Sequence, residues 1–346
     1  MGLFSSSDNN YLGVDIGESS IKMVELQKKG KKINLLNYGF TDVIPDFNFS
    51  YSENINFLAE AIVRLKNELG IKTNRATVSL SSFSVFSSVI NISNFEKRKL
   101  NERVIEEAKK VIPLPIDEMV LDWKIIPNKK EDRINEAKIF LTGSPKKLIK
   151  KYIDVFKKSN ILLSNLETET FSLIRSLLGN DSSTVMIIEL GSNSTDFSII
   201  KESIPFLNRS INIAGKTITE EISKKMGVSF EQAEQFKFDL SFSGEKKEGV
   251  IPQVMAEAVK PIINEIKYML DLFSNSNNEQ VEKIILSGGG SLLFNFAEYL
   301  EKSMNIKVII ADPWFRVSYP PELKPVLEEV GPRLSIAVGL ALRGME

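Results

Sequence analysis

The sequence predicts an α/β protein built from two similar lobes that face a common cleft, and three stretches predict it. Residues 11–26, YLGVDIGESSIKMVEL, read as strand, glycine turn, strand, with an acid, Asp15, inside the first apolar run. Residues 185–200, VMIIELGSNSTDFSII, repeat the pattern: Glu189 stands at the place of Asp15, Gly191 at that of Gly17 and Ser194 at that of Ser20, all at an offset of 174 (189 − 15). The third, Ser287-Gly288-Gly289-Gly290-Ser291, interrupts the chain between a strand and a helix. Repetition half a chain apart speaks to the architecture before any local motif does.

Each stretch carries its own chemistry. Burying Asp15 or Glu189 without a partner is costly, so each acid needs a cation. Both are read as holding hydrated Mg²⁺ through its waters, because Mg²⁺ dehydrates reluctantly. The Gly/Ser turns that follow offer backbone N–H groups and hydroxyls to an anion. Gly17, Ser19, Ser20, Gly191, Ser194 and Thr195 are therefore phosphate donors, and Asp196 is a supporting acid. Lys22 is read either as neutralising phosphate or as a solvated strand lysine. Gly288, Gly289 and Gly290 would let a ligand approach the backbone closely.

Length and composition narrow the function. A chain of 346 residues can bury a sizeable core and favours two lobes. Its formal charge of −1 implies no broad attraction to nucleic acid or acidic lipid. The absence of both Cys and His removes thiol nucleophiles, disulfides, His-based triads and the usual zinc sites. Chemistry is left to carboxylates, lysine, hydroxyls and a hard cation. No apolar run approaches the roughly 20 residues of a membrane span, so direct membrane insertion is not expected. The start MGLFSS fits a loose acylation pattern that arises often by chance; residues 1–10 are read as a polar leader and the chain as cytoplasmic.

The remaining elements follow in order. Residues 31–40 continue as a strand, 54–69 have helical spacing ended by Gly70, and 76–80 and 83–90 are β-rich. A charged helix over 96–111, with the stripe Leu100, Val104 and Ala108, stops at Ile112-Pro113-Leu114-Pro115. Strands at 119–126 and 137–141 flank a charged turn at 128–133, and 146–159 is an amphipathic helix. The stretch 83–160 is read as a small inserted α+β subdomain. It divides lobe one into 11–82 and 161–183, and lobe two spans 184–332. Within lobe two the expected elements are a strand at 205–213, helices at 217–226, 230–238, 251–273 and 292–304, strands at 283–286 and 308–310, a loop at 240–249 and an irregular segment at 313–325. A final helix, 333–346, returns to lobe one.

This order of parts resembles the actin-like ATPase superfamily, in which two phosphate loops and a late glycine-rich adenosine loop line one interlobe cleft. Within it the sequence is most similar to the PilM family of type IV pilus assembly proteins, related to FtsA. The matching segments are LGVDIGESSIKMVEL, EEAKKVIPLPIDEMVLDW, Glu169 with Phe171 and Arg175, RSINIAGKTITEEI and GPRLSIAVGLALR. The resemblance implies lobes of RNase H-like topology, with the FtsA-like insert in lobe one. It also implies bound ATP with Mg²⁺, to which Gly215, Lys216, Glu234 and Lys237 would add contacts. Glu169 lies where relatives carry the residue that orients water for hydrolysis, with Glu167 as runner-up; an ordinary acidic surface patch is the other reading. Glu189 stands where relatives more usually have Asp, and its longer side chain is expected to weaken hydrolysis while sparing binding.

By the same resemblance, the chain is a cytoplasmic ATP-binding adaptor with at most slow hydrolysis, sitting at the inner face of the membrane through a partner. That partner is the cytoplasmic N-terminus of a PilN-like inner-membrane protein, docked in a groove walled by the 83–89 strand and the 96–111 helix. Other pilus platform and motor proteins would join it, and self-association stays open. Two alternatives remain. One is an FtsA-like filament that tethers division machinery, although the sequence ends at Arg343-Gly344-Met345-Glu346 without the basic amphipathic helix of that type. The other is an ATP-dependent small-molecule kinase.

Overall fold

A computed structural model describes residues 9–41, 54–93, 97–126, 136–243 and 250–346. Lobe one is built on a five-stranded sheet ordered β3-β2-β1-β4-β8, from β1 (Asn10–Ile16), β2 (Ile21–Lys29), β3 (Lys32–Phe40), β4 (Arg75–Leu80) and β8 (Leu162–Thr168). β1, β2 and β3 form an antiparallel meander, and β4 and β8 continue the sheet in parallel. Lobe two repeats this plan as β11-β10-β9-β12-β13, from β9 (Val185–Leu190), β10 (Thr195–Lys201), β11 (Ile204–Ile211), β12 (Lys283–Ser287) and β13 (Lys307–Ile310). The first three are again antiparallel and the last two parallel. The doubled hairpin thus reflects a doubled sheet.

Helices cover both faces of each sheet, as parallel strands require. On lobe one, α1 (Asn54–Glu68) and α3 (Lys146–Lys158) cover one face, where Leu58, Ile62, Tyr152, Val155 and Phe156 meet Leu12, Val14, Ile16 and Val78. The other face takes α9 (Lys324–Arg343), whose Leu334, Ala337, Val338 and Ala341 pack with Val24 and Leu26. Together with α4 (Glu169–Leu177), α9 also reaches lobe two: Leu173, Ile174, Ile336 and Leu340 share a core with Val185, Ile187, Ile200 and Ile285. Lobe two is closed by α5 (Gly215–Met226), α6 (Phe230–Ser243), α7 (Gln253–Asn277) and α8 (Phe296–Met304).

The inserted unit comprises β5 (Phe86–Ser93), α2 (Leu100–Val111), β6 (Met119–Ile126) and β7 (Glu136–Pro145), its antiparallel sheet ordered β5-β7-β6. The stripe Leu100, Val104 and Ala108 of α2 is buried against Ile90, Ile92, Ile139 and Leu141.

Several expected boundaries move. The helix at 146–158, expected in the insert, packs beside α1 in the core of lobe one. Its apolar pattern specifies a buried face without naming the sheet that buries it. The last helix begins at Lys324 rather than at 333. Pro325 sits in its first turn, where a missing N–H costs nothing, and Pro332 lies inside the helix with its carbonyl turned to other uses. α7 runs on to Asn277, past its expected end at 273, and α8 starts at Phe296 after a short 3-10 turn, Gly289–Leu292. The strand expected from 83 begins at Phe86, after a 3-10 turn over Ser82–Ser84. Residues 1–8 of the expected leader, the turn 128–133 and residues 244–249 of the expected loop lie outside the described residues.

Candidate functional site

The two hairpins present their acids at matched places with different neighbours. In lobe one Asp15 pairs across the ladder with Lys22, whose Nζ donates to Asp15 Oδ2 at 2.8 Å. On the parallel strand alongside, Ser79 Oγ donates to Asp15 Oδ1 at 2.7 Å. In lobe two Glu189 pairs with Asp196, and Ser287 of β12 is in register beside it. Each acid therefore has a hairpin partner and a serine on the next strand, but the partner is a lysine in one lobe and a second acid in the other.

Electrostatics follow from that difference. Burial pushes Glu189 up to about 7, and Lys22 and Ser287 only partly oppose it. Its Oε2 is buried without a hydrogen-bond partner. Burial also raises Glu169 well above the ordinary carboxylate range; Asp196, Asp15 and Glu189 add to the rise, while the Ser82 N–H, donating to Glu169 Oε2 at 2.8 Å, works against it. Asp196 is raised chiefly by burial, against hydroxyls donated by Ser210 and Ser194. Lys22 is held above its usual value: burial pulls it down, but Asp15, Glu189 and Glu169 outweigh that. Asp15, Glu169, Glu189 and Asp196 thus share one region with the Lys22 ammonium among them. Yet among the described residues no three acids come close enough to ligate a bare metal ion.

The turns and the glycine loop depart from expectation in detail. The Gly17 N–H donates to Ser20 O and the Gly191 N–H to Ser194 O, each at 3.0 Å. These two amides close their own turns instead of standing open as phosphate donors. The buried Thr195 hydroxyl donates to the Ile213 carbonyl at 2.6 Å, so it too is committed. Ser19, Ser20 and Ser194 are half-buried at the turns. Lys22 serves as Asp15's partner, neither solvated nor open. Gly288 and Gly290 are required by the protein itself. Gly288 has φ +82° and ψ 171°, and a Cβ there would lie 2.4 Å from Leu190 O and 2.8 Å from Glu189 Oε1. At Gly290 it would overlap the Leu190 side chain at 1.6 Å. Gly289 instead faces Arg333 of α9, 3.6 Å from the place of a Cβ. The Pro332 carbonyl accepts from the Gly288 N–H at 2.9 Å and from Ser287 Oγ at 3.2 Å, tying the loop of lobe two to the helix shared with lobe one.

At the start of α5 the Gly215 N–H donates to Gly191 O at 3.1 Å and the Lys216 N–H to Ser192 O at 2.8 Å, so this helix end is bolted to the second turn. The Lys216 side chain is exposed. Lys237 Nζ donates to the Gly215 carbonyl at 3.1 Å, to Thr219 Oγ1 at 2.6 Å and to Glu234 Oε2 at 2.8 Å. Gly215 at the start of α5 is brought together with Glu234 and Lys237, which lie one turn apart on α6. Glu167 is accounted for structurally: Arg175 grips both its oxygens at 2.7 Å. Ser79 and Ser82 escaped the sequence reading, and Ser287 was read only as the edge of the glycine loop. For Ser79 the available signal was a hydroxyl within a largely buried strand.

Beyond Asp196, a cavity of about 250 Å³ opens where the insert meets lobe two. Phe83, Phe86, Ser87 and Phe140 line one side, Thr170 and Ser82 the floor, and Asn208–Ser210 the other side. Asn208 Nδ2 donates to Ser87 Oγ at 3.2 Å across it. The segment from Phe83 lines this cavity and α2 does not.

Two lobes of one topology, each bringing an acid-bearing hairpin to a shared cleft, with an insert in the first, define an actin-like ATPase fold. Known proteins agree. A solved PilM–PilN type IV pilus biogenesis complex superposes with a TM-score of 0.83 at 23% identity, covering 97% of this chain and 98% of that one. EutJ of Carboxydothermus hydrogenoformans (TM-score 0.55, 14% identity, 96% and 89% covered) and ADP-bound MreB5 of Spiroplasma citri (0.51, 12%, 96% and 94%) share the fold. The cell division protein FtsA of Bacillus subtilis is 21% identical over 259 residues, which are 66% of this chain and 58% of that protein's length. The family model of type IV pilus assembly protein PilM matches residues 13–345, and the chain belongs to that family.

Proposed function

We infer that the chain is a nucleotide-binding adaptor of type IV pilus assembly, which takes Mg-ATP between its lobes and docks the cytoplasmic N-terminus of a PilN-like inner-membrane protein. One observation supports the nucleotide above others: Glu189 is buried with Oε2 unpartnered, beside Asp196, and the nearby Lys22, which already pairs with Asp15, only partly offsets its burial. Such a site is short of positive charge, and a hydrated divalent cation bound between Asp15 and Glu189 through its waters would meet the need. Bound Mg²⁺ would neutralise phosphate charge there. Ser19, Ser20 and Ser194 would donate to phosphate oxygens, and Gly215, Glu234, Lys237 and Gly288–Gly290 would surround the nucleoside. Glu169, fixed by the Ser82 N–H and raised toward neutrality, would accept a proton from water, the role in which a higher carboxylate pKa is useful. Slow hydrolysis is the expectation.

The partner is proposed from the family and from the solved complex of PilM with PilN, and it would hold the protein at the inner face of the cytoplasmic membrane. Among the described residues no helix is long and apolar enough to cross a membrane. The cavity rimmed by Phe83, Phe86 and Phe140 is the proposed dock. Calorimetric titration of the chain with Mg-ATP, with ATP plus chelator, and with a PilN-like N-terminal peptide tests both parts. Binding of ATP that ignores chelation would remove the magnesium assignment. Peptide affinity that survives Phe83→Ala together with Phe86→Ala unchanged would move the dock elsewhere.

A further inference from the structure

The outer helix of lobe one carries a charge that the composition conceals. α3, KKLIKKYIDVFKK, holds six lysines and one aspartate, a net of +5 (six minus one), in a chain whose formal charge is −1. Its apolar side, with Tyr152, Val155 and Phe156, is buried on the sheet. Lys146, Lys147, Lys150, Lys157 and Lys158 are exposed, and Ile153 in their midst is 49% exposed. Lys150 already pairs with Asp154, the helix's one acid, at 2.7 Å. α3 covers the face of the lobe-one sheet opposite α4 and α9, the pair that meets lobe two, so its lysines point away from the cleft.

From this geometry we propose that the outer face of α3 is an electrostatic contact for anionic lipid headgroups, laying lobe one against a membrane surface. A helix of this length is about 20 Å long and convex, so it suits a plane rather than a narrow peptide. Neither a groove nor an aromatic lies among its outward positions, as single-stranded nucleic acid would want for stacking. Clustered lysines attract an anionic leaflet without inserting into it, and Ile153 supplies one apolar contact at headgroup depth. The contact requires neither nucleotide nor a pilus partner, so it stands or falls separately from the proposed function.

The full chain is sedimented with vesicles of phosphatidylcholine alone and with about one-third phosphatidylglycerol, at low and at high salt. Binding is expected on the anionic vesicles only, and salt abolishes it. Lys147→Gln, Lys157→Gln and Lys158→Gln combined should weaken it about a hundredfold, given roughly fivefold per lysine near such a surface. The exposed set Lys29→Gln, Lys31→Gln and Lys32→Gln changes the net charge equally and should leave binding within about twofold. Equal loss in both triple variants would show diffuse attraction and overturn the assignment to α3. Absent binding at low salt, or equal binding to neutral vesicles, would overturn it as well. Displacement from vesicles by soluble polyglutamate at matched charge would reassign the face to an acidic polypeptide.

Discussion

Replacing Glu189 with Gln isolates the charge that lobe two leaves uncompensated. The carboxyl is pushed from 4.5 to about 7, a rise of about 2.5 in pKa, which at about 1.36 kcal/mol per unit is on the order of 3 kcal/mol. The sign follows from proton linkage. The folded state holds this proton more tightly than the unfolded one, so the contribution is fully present below about pH 4.5 and is lost as pH rises through about 7. Glutamine has no proton to lose. Urea unfolding of the nucleotide-free chain in chelator, compared between about pH 5 and about pH 8, should show the wild type falling by up to about 3 kcal/mol more than Glu189→Gln. Glu169 is raised too, in part by Glu189, so the same comparison in a Glu169→Gln background isolates Glu189. Magnesium nucleotide should restore the wild type at pH 8 more than the variant. Parallel pH profiles would refute the reasoning, because an uncompensated buried carboxylate cannot be silent.

Four further outcomes follow from the same geometry. Glu167→Ala takes away the bidentate partner of the Arg175 guanidinium, each of the pair being 13% exposed, and leaves it Glu346 and the Gly339 carbonyl; it should lower stability by about 2 kcal/mol with nucleotide affinity intact. Glu169→Gln should do the reverse, keeping stability and binding while removing phosphate release; thermal melts and a phosphate assay separate the two. Gly288→Ala forces a side chain onto φ +82° and toward Leu190 O. It should cost about 1–3 kcal/mol in thermal unfolding and reduce ATP affinity, and unchanged affinity would show that the loop does not touch nucleotide. Lys237→Ala should weaken ATP binding about tenfold, the worth of one charge-assisted hydrogen bond, in a titration that leaves peptide affinity untouched.

How much was legible depended on whether a feature is written locally. The two hairpins could be read because alternating apolar residues, an acid and a glycine turn sit within 16 residues of each other, at one offset. The reach of α9 back to Lys324 could not, since Pro325 and Pro332 look like stops until tertiary partners take up their consequences: Pro332's carbonyl holds the glycine loop. The home of α3 was hidden because β7 runs straight into it at Pro145, so no linker marks the return to lobe one. Glu169 was chosen over Glu167 by position alone; only the fold shows that Arg175 consumes the other.

The same repeat held more than was drawn from it. Carried through the hairpin, the offset of 174 maps Lys22 onto Asp196 (22 + 174), replacing a cation by an acid at matched places in the ladder. In lobe one that cation and Ser79 satisfy Asp15, so the first acid is held in place at 1% exposure. In lobe two the matched position holds an acid instead of a cation, Glu189 keeps an orphan oxygen, and burial raises it to about 7. Two copies of one hairpin are thereby left in different states: the first acid is satisfied within the protein, and the second is incomplete, the place at which the proposed magnesium nucleotide would supply positive charge. Glu189, one methylene longer than an aspartate, sits on the incomplete side. There a longer reach would change how the proposed hydrated cation is held while leaving the sheet beneath it undisturbed.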